Sequence, residues 1–497
     1  MENSRNEGAG GLQRSSSPHR ISIGEFIDSF GTTRKTWFLF FLLSFAMFFD
    51  GYDNMIVNFS LPSIQAEWGL NSAMAGSLSS WSLFGLVAGG LVAGPASDKW
   101  GRKHVMAVSI ALFGVLNLPL YFASDWKFFA VFRVLSGIGL GACIPMVTTY
   151  FSEWMPTRNR AFFITAAMAF MVGGGVVAGV VGGVLCDSAT AAAVVSGQVA
   201  YSDVASVELP FVGGLHMDSW RIGFFIGAVP VLYSALIWLF LPETPQYYAS
   251  VGRLDRSIDQ LARYEKAVTG ATAKADALTP GVLAAPSKQE KTSPATLFSK
   301  RYIKGTLAIW IAYFCGCMII YSVNAWLPRL CGSLGYDYSL ATINQAASVL
   351  ANLLTGLVAG RIGRRRNAML GFSAAFVVIV MTAVSFMVNS PYPVLAAAMI
   401  LLGFGINYGQ TGLQPLMPET YPAEIRGTGV AWCQAFGRFG GALGPIAMGL
   451  ILDVALSFGL DAAIAIPLAF IVLAIPAAVS VMAVALLAED NGARSAM

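Results

Sequence analysis

Four charged side chains stand inside long apolar stretches: Asp50 and Asp53, three residues apart, then Arg133, and far downstream Arg438. An ionised side chain at the centre of a bilayer costs on the order of 2.5–3.5 kcal/mol by insertion scales, so charges kept there are partnered and tied to a task. Two acids and two bases balance formally. Asp50 and Asp53 share one helical face. Carboxylates that close repel, which makes one of them a candidate seat for a transferable proton. Arg133 does not deprotonate in practice. Paired with Asp53, it would be released when that acid takes a proton, and could then meet another anion. That is a coupling device, with Asp50 tuning the pair. Arg438 has no acid near it in its own stretch. A guanidinium grips carboxylates with two parallel hydrogen bonds, so Arg438 reads as an anchor for an organic anion, or as a structural partner of Asp50 or of a helix end.

Around these charges, amides and phenols recur at helical spacing. Asn54 follows Asp50 by one turn, Tyr321 and Asn324 lie together, Asn344 heads a stripe with Ser348 and Asn352, and Asn407, Gln410 and Gln414 form another. They are candidate lining for a polar cavity, although helices in membranes use the same residue types to bond to one another. No nucleophile–base pair, metal-ligand cluster or phosphate-binding loop accompanies them. The reading is therefore of a protein that is not an enzyme, uses no cofactor or metal, and binds no nucleic acid.

The elements that must hold these residues are membrane helices. The chain has 497 residues, 56% hydrophobic and 12% charged, where soluble domains carry about a quarter charged residues. Runs of roughly 20 apolar residues, enough to span a bilayer, recur twelve times: near 37–58, 74–96, 103–123, 128–151, 161–185, 220–241, 303–325, 340–360, 367–388, 392–415, 427–452 and 463–487. Lipid leaves only helices or closed barrels, and the short alternating segments of a barrel are missing. The expected fold is an all-α membrane protein of two six-helix bundles, 37–241 and 303–487. A tail (1–36), a basic central loop (242–302) and a short tail (488–497) would all be cytosolic. With that orientation 26 of the 31 Lys and Arg lie inside, as the inside-positive rule demands. No signal peptide is read at the start. Ile23, Phe26, Ile27 and Phe30 repeat as one apolar face and predict a short helix, lying on the inner membrane surface or making a local contact. The six cysteines have no redox or metal spacing, and Cys315 and Cys317 read as packing residues.

The halves repeat each other. Gly94, Asp98, Gly101, Arg102 and Lys103 follow the second run, and Gly356, Gly360, Gly363, Arg364 and Arg365 follow the eighth, 262 residues on. Glu153, Pro156 and Arg160 return as Glu419, Pro422 and Arg426 at a shift of 266. Repeated halves put a binding site at their interface, near the bilayer midplane.

The pattern G-x-x-x-D-x-x-G-R-K at Gly94–Lys103 resembles the signature of the major facilitator superfamily, and the resemblance runs over essentially the whole chain. Arg133 with Gly137, Gly139 and Gly141, and the glycines between Gly173 and Gly183, are similar to that superfamily's fourth and fifth helices. Asp50-Gly-Tyr-Asp53, Ser219-Trp-Arg221, Trp326-Leu-Pro328 and Gly437-Arg438-Phe-Gly440 resemble its aromatic acid:proton symporters. Leu241-Pro-Glu243-Thr-Pro245 looks like a segment shared with sugar and organic-ion porters. The double glutamine of sugar porters is missing, which disfavours a sugar. One departure is Gly360, standing where the first half has Asp98. The resemblance implies a multi-pass transporter of the cell membrane, working as a monomer among lipid by alternating access. It would take up a small organic, aromatic carboxylate together with protons. It also implies that, when the transporter faces outward, the loop carrying Asp98, Arg102 and Lys103 pairs with charges at the cytosolic end of the other half, with Glu153, Arg160, Glu243, Glu419 and Arg426 as partners. An exporter or antiporter of organic compounds would share these features; a non-transporting receptor would need a signalling domain.

Overall fold

The computed structural model describes residues 21–186, 207–209, 213–215, 219–276, 278–279, 283, 294–333, 339–421 and 425–487. The first bundle contains α2 (Arg34–Trp68), α3 (Ser72–Trp100), α4 (Arg102–Asn117), α5 (Trp126–Gly141), α6 (Cys143–Trp154), α7 (Arg160–Leu185), α8 (Trp220–Ile226) and α9 (Pro230–Phe240), preceded by the short α1 (Ile23–Asp28). The connection carries α10 (Pro245–Ser250), α11 (Leu254–Thr269) and α12 (Ala273–Asp276). The second bundle contains α13 (Ile303–Ser333), α14 (Ser339–Ile362), α15 (Arg364–Met387), α16 (Tyr392–Leu413), α17 (Leu416–Glu419), α18 (Arg426–Ser457), α19 (Ala462–Val472) and α20 (Ala474–Ala485). A two-stranded antiparallel hairpin, β1 (Val207–Leu209) with β2 (Gly213–Leu215), lies in the loop before α8.

Prolines set several helix breaks. A proline ring clashes with the carbonyl four residues earlier and offers that carbonyl no N–H. α5 ends at Gly141, four before Pro145; α8 ends at Ile226, four before Pro230; α19 ends at Val472, four before Pro476. Starts are set by caps: Thr33 begins α2 with a capping box to Thr36, Asn71 caps α3, and Asp125 caps α5. Each satisfies N–H groups that lipid or a packed core would otherwise leave bare.

Among the described residues, eleven helical segments are long and apolar enough to cross a membrane. Large apolar side chains such as Leu232, Leu239, Ile475 and Leu486 stay exposed on the outer faces. That is the expected inversion when lipid is the solvent.

The two bundles meet along α3 and α18, α7 and α14, and α2 and α13. Inside the first bundle α3 and α5 touch backbone to backbone. A β-carbon on Gly85 would stand 2.1 Å from the Val134 carbonyl oxygen, and one on Gly137 would stand 2.2 Å from that of Ser82. Only glycine permits this approach, and it brings Arg133 to the bundle interior.

The expected face of α1 is present but lipid does not cover it. Ile23, Phe26 and Ile27 are buried against the first bundle, and Phe30 meets Tyr264 of α11 edge to face at 6.0 Å. Tertiary contact, not a membrane surface, uses the apolar stripe. Cys315 and Cys317 are buried within α13, as their apolar surroundings implied.

Candidate functional site

Asp53 and Arg133 form a fully buried pair. Arg133 Nη1 donates to Asp53 Oδ1 at 2.9 Å and to Oδ2 at 2.8 Å. Asn117 Nδ2 donates to Oδ1 at 3.1 Å, and Arg133 Nη2 donates to Ser82 Oγ at 3.0 Å. The guanidinium also lies 5.8 Å from the centre of the Phe224 ring. Four helices, α2, α3, α4 and α5, therefore converge on one ion pair. Asn117 and Ser82 were missed in the sequence, where a lone amide and a serine in apolar helices give no pattern.

Asp50 points elsewhere. Its Oδ1 accepts from Asn54 Nδ2 at 2.6 Å, while its buried Oδ2 has no donor. Arg438 of the second bundle acts on it as an opposite charge, and Asp53 as a like charge. Arg438 Nη1 donates to the Leu86 carbonyl across the bundle interface at 3.2 Å. Among the described residues no carboxylate comes within ion-pair distance of Arg438. Tyr321 packs on Gly441 one turn beyond it, and its phenol lies within electrostatic reach of both Asp50 and Arg438. Asn324 accepts from Gln345 at 2.8 Å, whose Nε2 also reaches Met55 Sδ across the interface. Gln410 donates to Cys317 Sγ at 3.1 Å and keeps its buried Oε1 unpaired; Gln414 is exposed and reaches Tyr313 Oη at 3.4 Å.

Two expected cavity amides are spent on the scaffold. Asn344 is buried and donates to the Met399 carbonyl at 3.2 Å. Asn407 donates to Ser348 Oγ at 2.7 Å and to its own helix at Gly403. Both join α14 to α16, because an amide facing a neighbouring helix in a dry interior must be satisfied there.

In this conformation the charged loop at Gly94–Lys103 is engaged locally. Its partners lie in its own half, not across the interface. Arg102 reaches Glu153 at 3.3 Å and the exposed Asp98 at 3.5 Å. Glu243 is buried and accepts from the backbone N–H of Arg102 at 3.0 Å and of Lys103 at 3.3 Å. Gly101 has φ +95°, and a β-carbon there would meet Glu243 Oε2 at 2.1 Å, so the position requires glycine twice over. Gly94 has open space beside it. Arg160 reaches back to the Met155 carbonyl at 3.5 Å. In the second half Glu419 pairs with Arg364; the Arg426 side chain lies outside the described residues. At this end no hydrogen bond or ion pair joins the halves among the described residues, so these charges brace each bundle internally in this conformation.

The opposite end is pinned. Asp453 of α18 accepts from the backbone N–H of Ser72 at 3.1 Å and Ala73 at 2.9 Å, so it caps α3 across the interface. Arg329 of α13 donates to Ser72 Oγ at 3.3 Å, and Trp326 Nε1 donates to the Pro445 carbonyl at 3.0 Å. Glu67 holds Arg221 and, at 2.7 Å, Trp220 at the same end of the first bundle. The pinned state should yield to Asp453→Ala. Losing a cap and a charge at a helix N-terminus costs about 1–2 kcal/mol, which moves a two-state equilibrium by roughly 5- to 30-fold. Spin labels on cysteines placed at the exposed Ser124 and Asn389 should report a new population of longer distances. An unchanged distribution would mean that Asp453 does not hold this end shut.

A family model described as Major Facilitator Superfamily matches residues 43–344 and 338–496. The chain is 30% identical to a gallate transporter of Pseudomonas putida, over 93% of this chain and 94% of that protein. It is 29% identical to the 4-hydroxybenzoate transporter PcaK of Acinetobacter baylyi, over 87% of each. A partially occluded, inward-open structure of the xylose transporter XylE from E. coli superposes with a TM-score of 0.65 at 13% identity, covering 89% of this chain and 97% of that one. At that identity the likeness concerns the fold alone.

Proposed function

Since the chain belongs to the major facilitator superfamily, a membrane transporter family, we propose that it carries a small aromatic carboxylate into the cell together with protons, by alternating access. The proposed frame is twelve spans with both termini cytosolic. α14 makes the twelfth: its 24 residues reach ~36 Å at 1.5 Å each. The Lys and Arg distribution orients the frame.

One observation carries the reading. Arg133 is neutralised by Asp53, whereas among the described residues Arg438 has only a backbone carbonyl on its fork. An interior that keeps a guanidinium without a bound carboxylate suits an organic anion. The gallate, 4-hydroxybenzoate and benzoate transporters among its relatives support an aromatic acid, and Tyr321 beside Arg438 offers such a ring a face. In the coupling we propose, a proton on Asp53 releases Arg133, and Asp50, with its open oxygen, adjusts the charge that Arg438 presents. Tyr321, Asn324, Gln410, Gln414 and Asn54 complete the lining. Closure on the cytosolic side would bring Asp98, Arg102 and Lys103 of one half against Glu419 and Arg426 of the other.

The test is uptake by proteoliposomes under an imposed inward proton gradient, across hydroxybenzoates, benzoate, aliphatic acids and organic cations. Aromatic acids should accumulate, and collapse of the gradient should stop them. Preference for a cation would sink the anion reading; equal uptake without a gradient would sink the coupling.

A further inference from the structure

At the same end of the first bundle as Gly94–Lys103, a cavity of about 380 Å³ opens between the starts of α2 and α4, the end of α9 and the side of α11. Four basic side chains face it: Lys35, Lys103, His104 and Arg263. Lys35 and Lys103 are half-buried, and among the described residues no carboxylate comes within ion-pair distance of either ammonium. The one acid in the wall, Glu243, is already engaged by the backbone N–H groups of Arg102, Lys103 and Thr244 and by His104 Nδ1 at 3.5 Å. Among the described residues Arg263 has a single, exposed ion-pair partner, Asp259, at 3.0 Å. The first turns of α2 and α4 add the positive ends of two helix dipoles.

Like charges gathered around one cavity repel unless an anion sits among them. The rim shows which kind. Leu239 and Phe240 line it and are 70% and 54% exposed. Trp238 beside them is half exposed, with the His104 ring edge-on at 5.1 Å. These residues end a helical segment long and apolar enough to cross a membrane, Trp220–Phe240. With that segment in the bilayer, the basic cavity would stand at the interface, with an apolar surface running from its mouth into the hydrocarbon. We propose that it holds the phosphate of an anionic phospholipid headgroup. The acyl chains would lie along Trp238, Leu239 and Phe240, and α11 would close over the headgroup through Arg263. A free phosphate would use the basic groups and leave the apolar path idle.

Native mass spectrometry of the full chain in detergent, supplied with phosphatidylglycerol or phosphatidylcholine, tests this. The unaltered protein should retain phosphatidylglycerol roughly 10- to 30-fold better, as expected for a few basic residues meeting an anionic lipid. The double substitution Lys35→Gln with Arg263→Gln should abolish that preference. Arg366→Gln, an exposed charge elsewhere, should leave it intact. No preference in the unaltered protein, a double variant that keeps it, or equal loss in Arg366→Gln would overturn the site. Displacement of the lipid by millimolar inorganic phosphate would make it a phosphate site instead and overturn the lipid assignment.

Discussion

Asp53→Asn is expected to abolish concentrative uptake driven by a proton gradient while leaving substrate exchange at equal concentrations measurable. The reason is the geometry of the pair. Asp53 gives both oxygens to one Arg133 nitrogen and a third bond to Asn117. Asparagine keeps the volume and can still accept from Asn117, but it cannot neutralise Arg133 or exchange a proton. Removing one partner of a buried ion pair costs about 3–5 kcal/mol because the other charge is stranded. The stranded guanidinium should also bind anions whatever the pH, so exchange should lose its pH dependence. Counterflow and gradient-driven uptake in the same proteoliposomes separate the two effects. A variant that still concentrates substrate with the original pH dependence would show that the proton travels elsewhere, with Asp50 next in line. A reduction in thermal stability alone would mark the pair as structural.

Arg438→Lys is expected to raise KM for aromatic carboxylates roughly 10- to 100-fold, the equivalent of one charge-assisted hydrogen bond of about 1.5–3 kcal/mol. Lysine keeps the positive charge that Asp50 senses, but it loses the fork that can bond Leu86 with one nitrogen and a carboxylate with another. Arg and Lys are not interchangeable at such sites. Maximal velocity at saturating substrate should change much less than KM. Substrate analogues in which an amide replaces the carboxylate should show little difference between the two proteins. If KM for carboxylates is unaltered in Arg438→Lys, the guanidinium is only a tie between the bundles through the Leu86 carbonyl.

Much of the scaffold was legible in the chain. Hydrophobic runs near 37–58, 74–96 and 303–325 became α2, α3 and α13, each a turn or more longer because polar caps and loop-facing residues continue the helix beyond the apolar window. The Asp53–Arg133 pair was legible too, since two opposite charges in apolar helices have few ways to be satisfied. Individual amides were not. Asn344 and Asn324 look alike in sequence, yet one bonds the Met399 carbonyl and the other accepts from Gln345 beside the bundle interface. A helix can turn any polar residue toward a neighbour or a cavity, and rotation about its axis is set by packing. The charges of the Gly94–Lys103 loop were open for another reason: several acids lie at matching places in the two halves, and only the packing decides that Arg102 meets Glu153.

The sequence by itself determined that this chain crosses a membrane repeatedly, that its halves repeat, and that few charges enter the bilayer. Those properties follow from solvent: lipid penalises every bare backbone group and every stray charge, so they appear in composition and spacing. Only the tertiary structure decided which partner each polar group takes. Asp50 and Asp53 sit three residues apart, but one looks to Asn54 and toward Arg438 while the other locks Arg133. Glycine contacts between α3 and α5 set the depth of Arg133, and Asp453, 381 residues from Ser72 in the chain, closes one end by capping α3. Such pairings depend on distances between helices remote in sequence, which packing alone establishes.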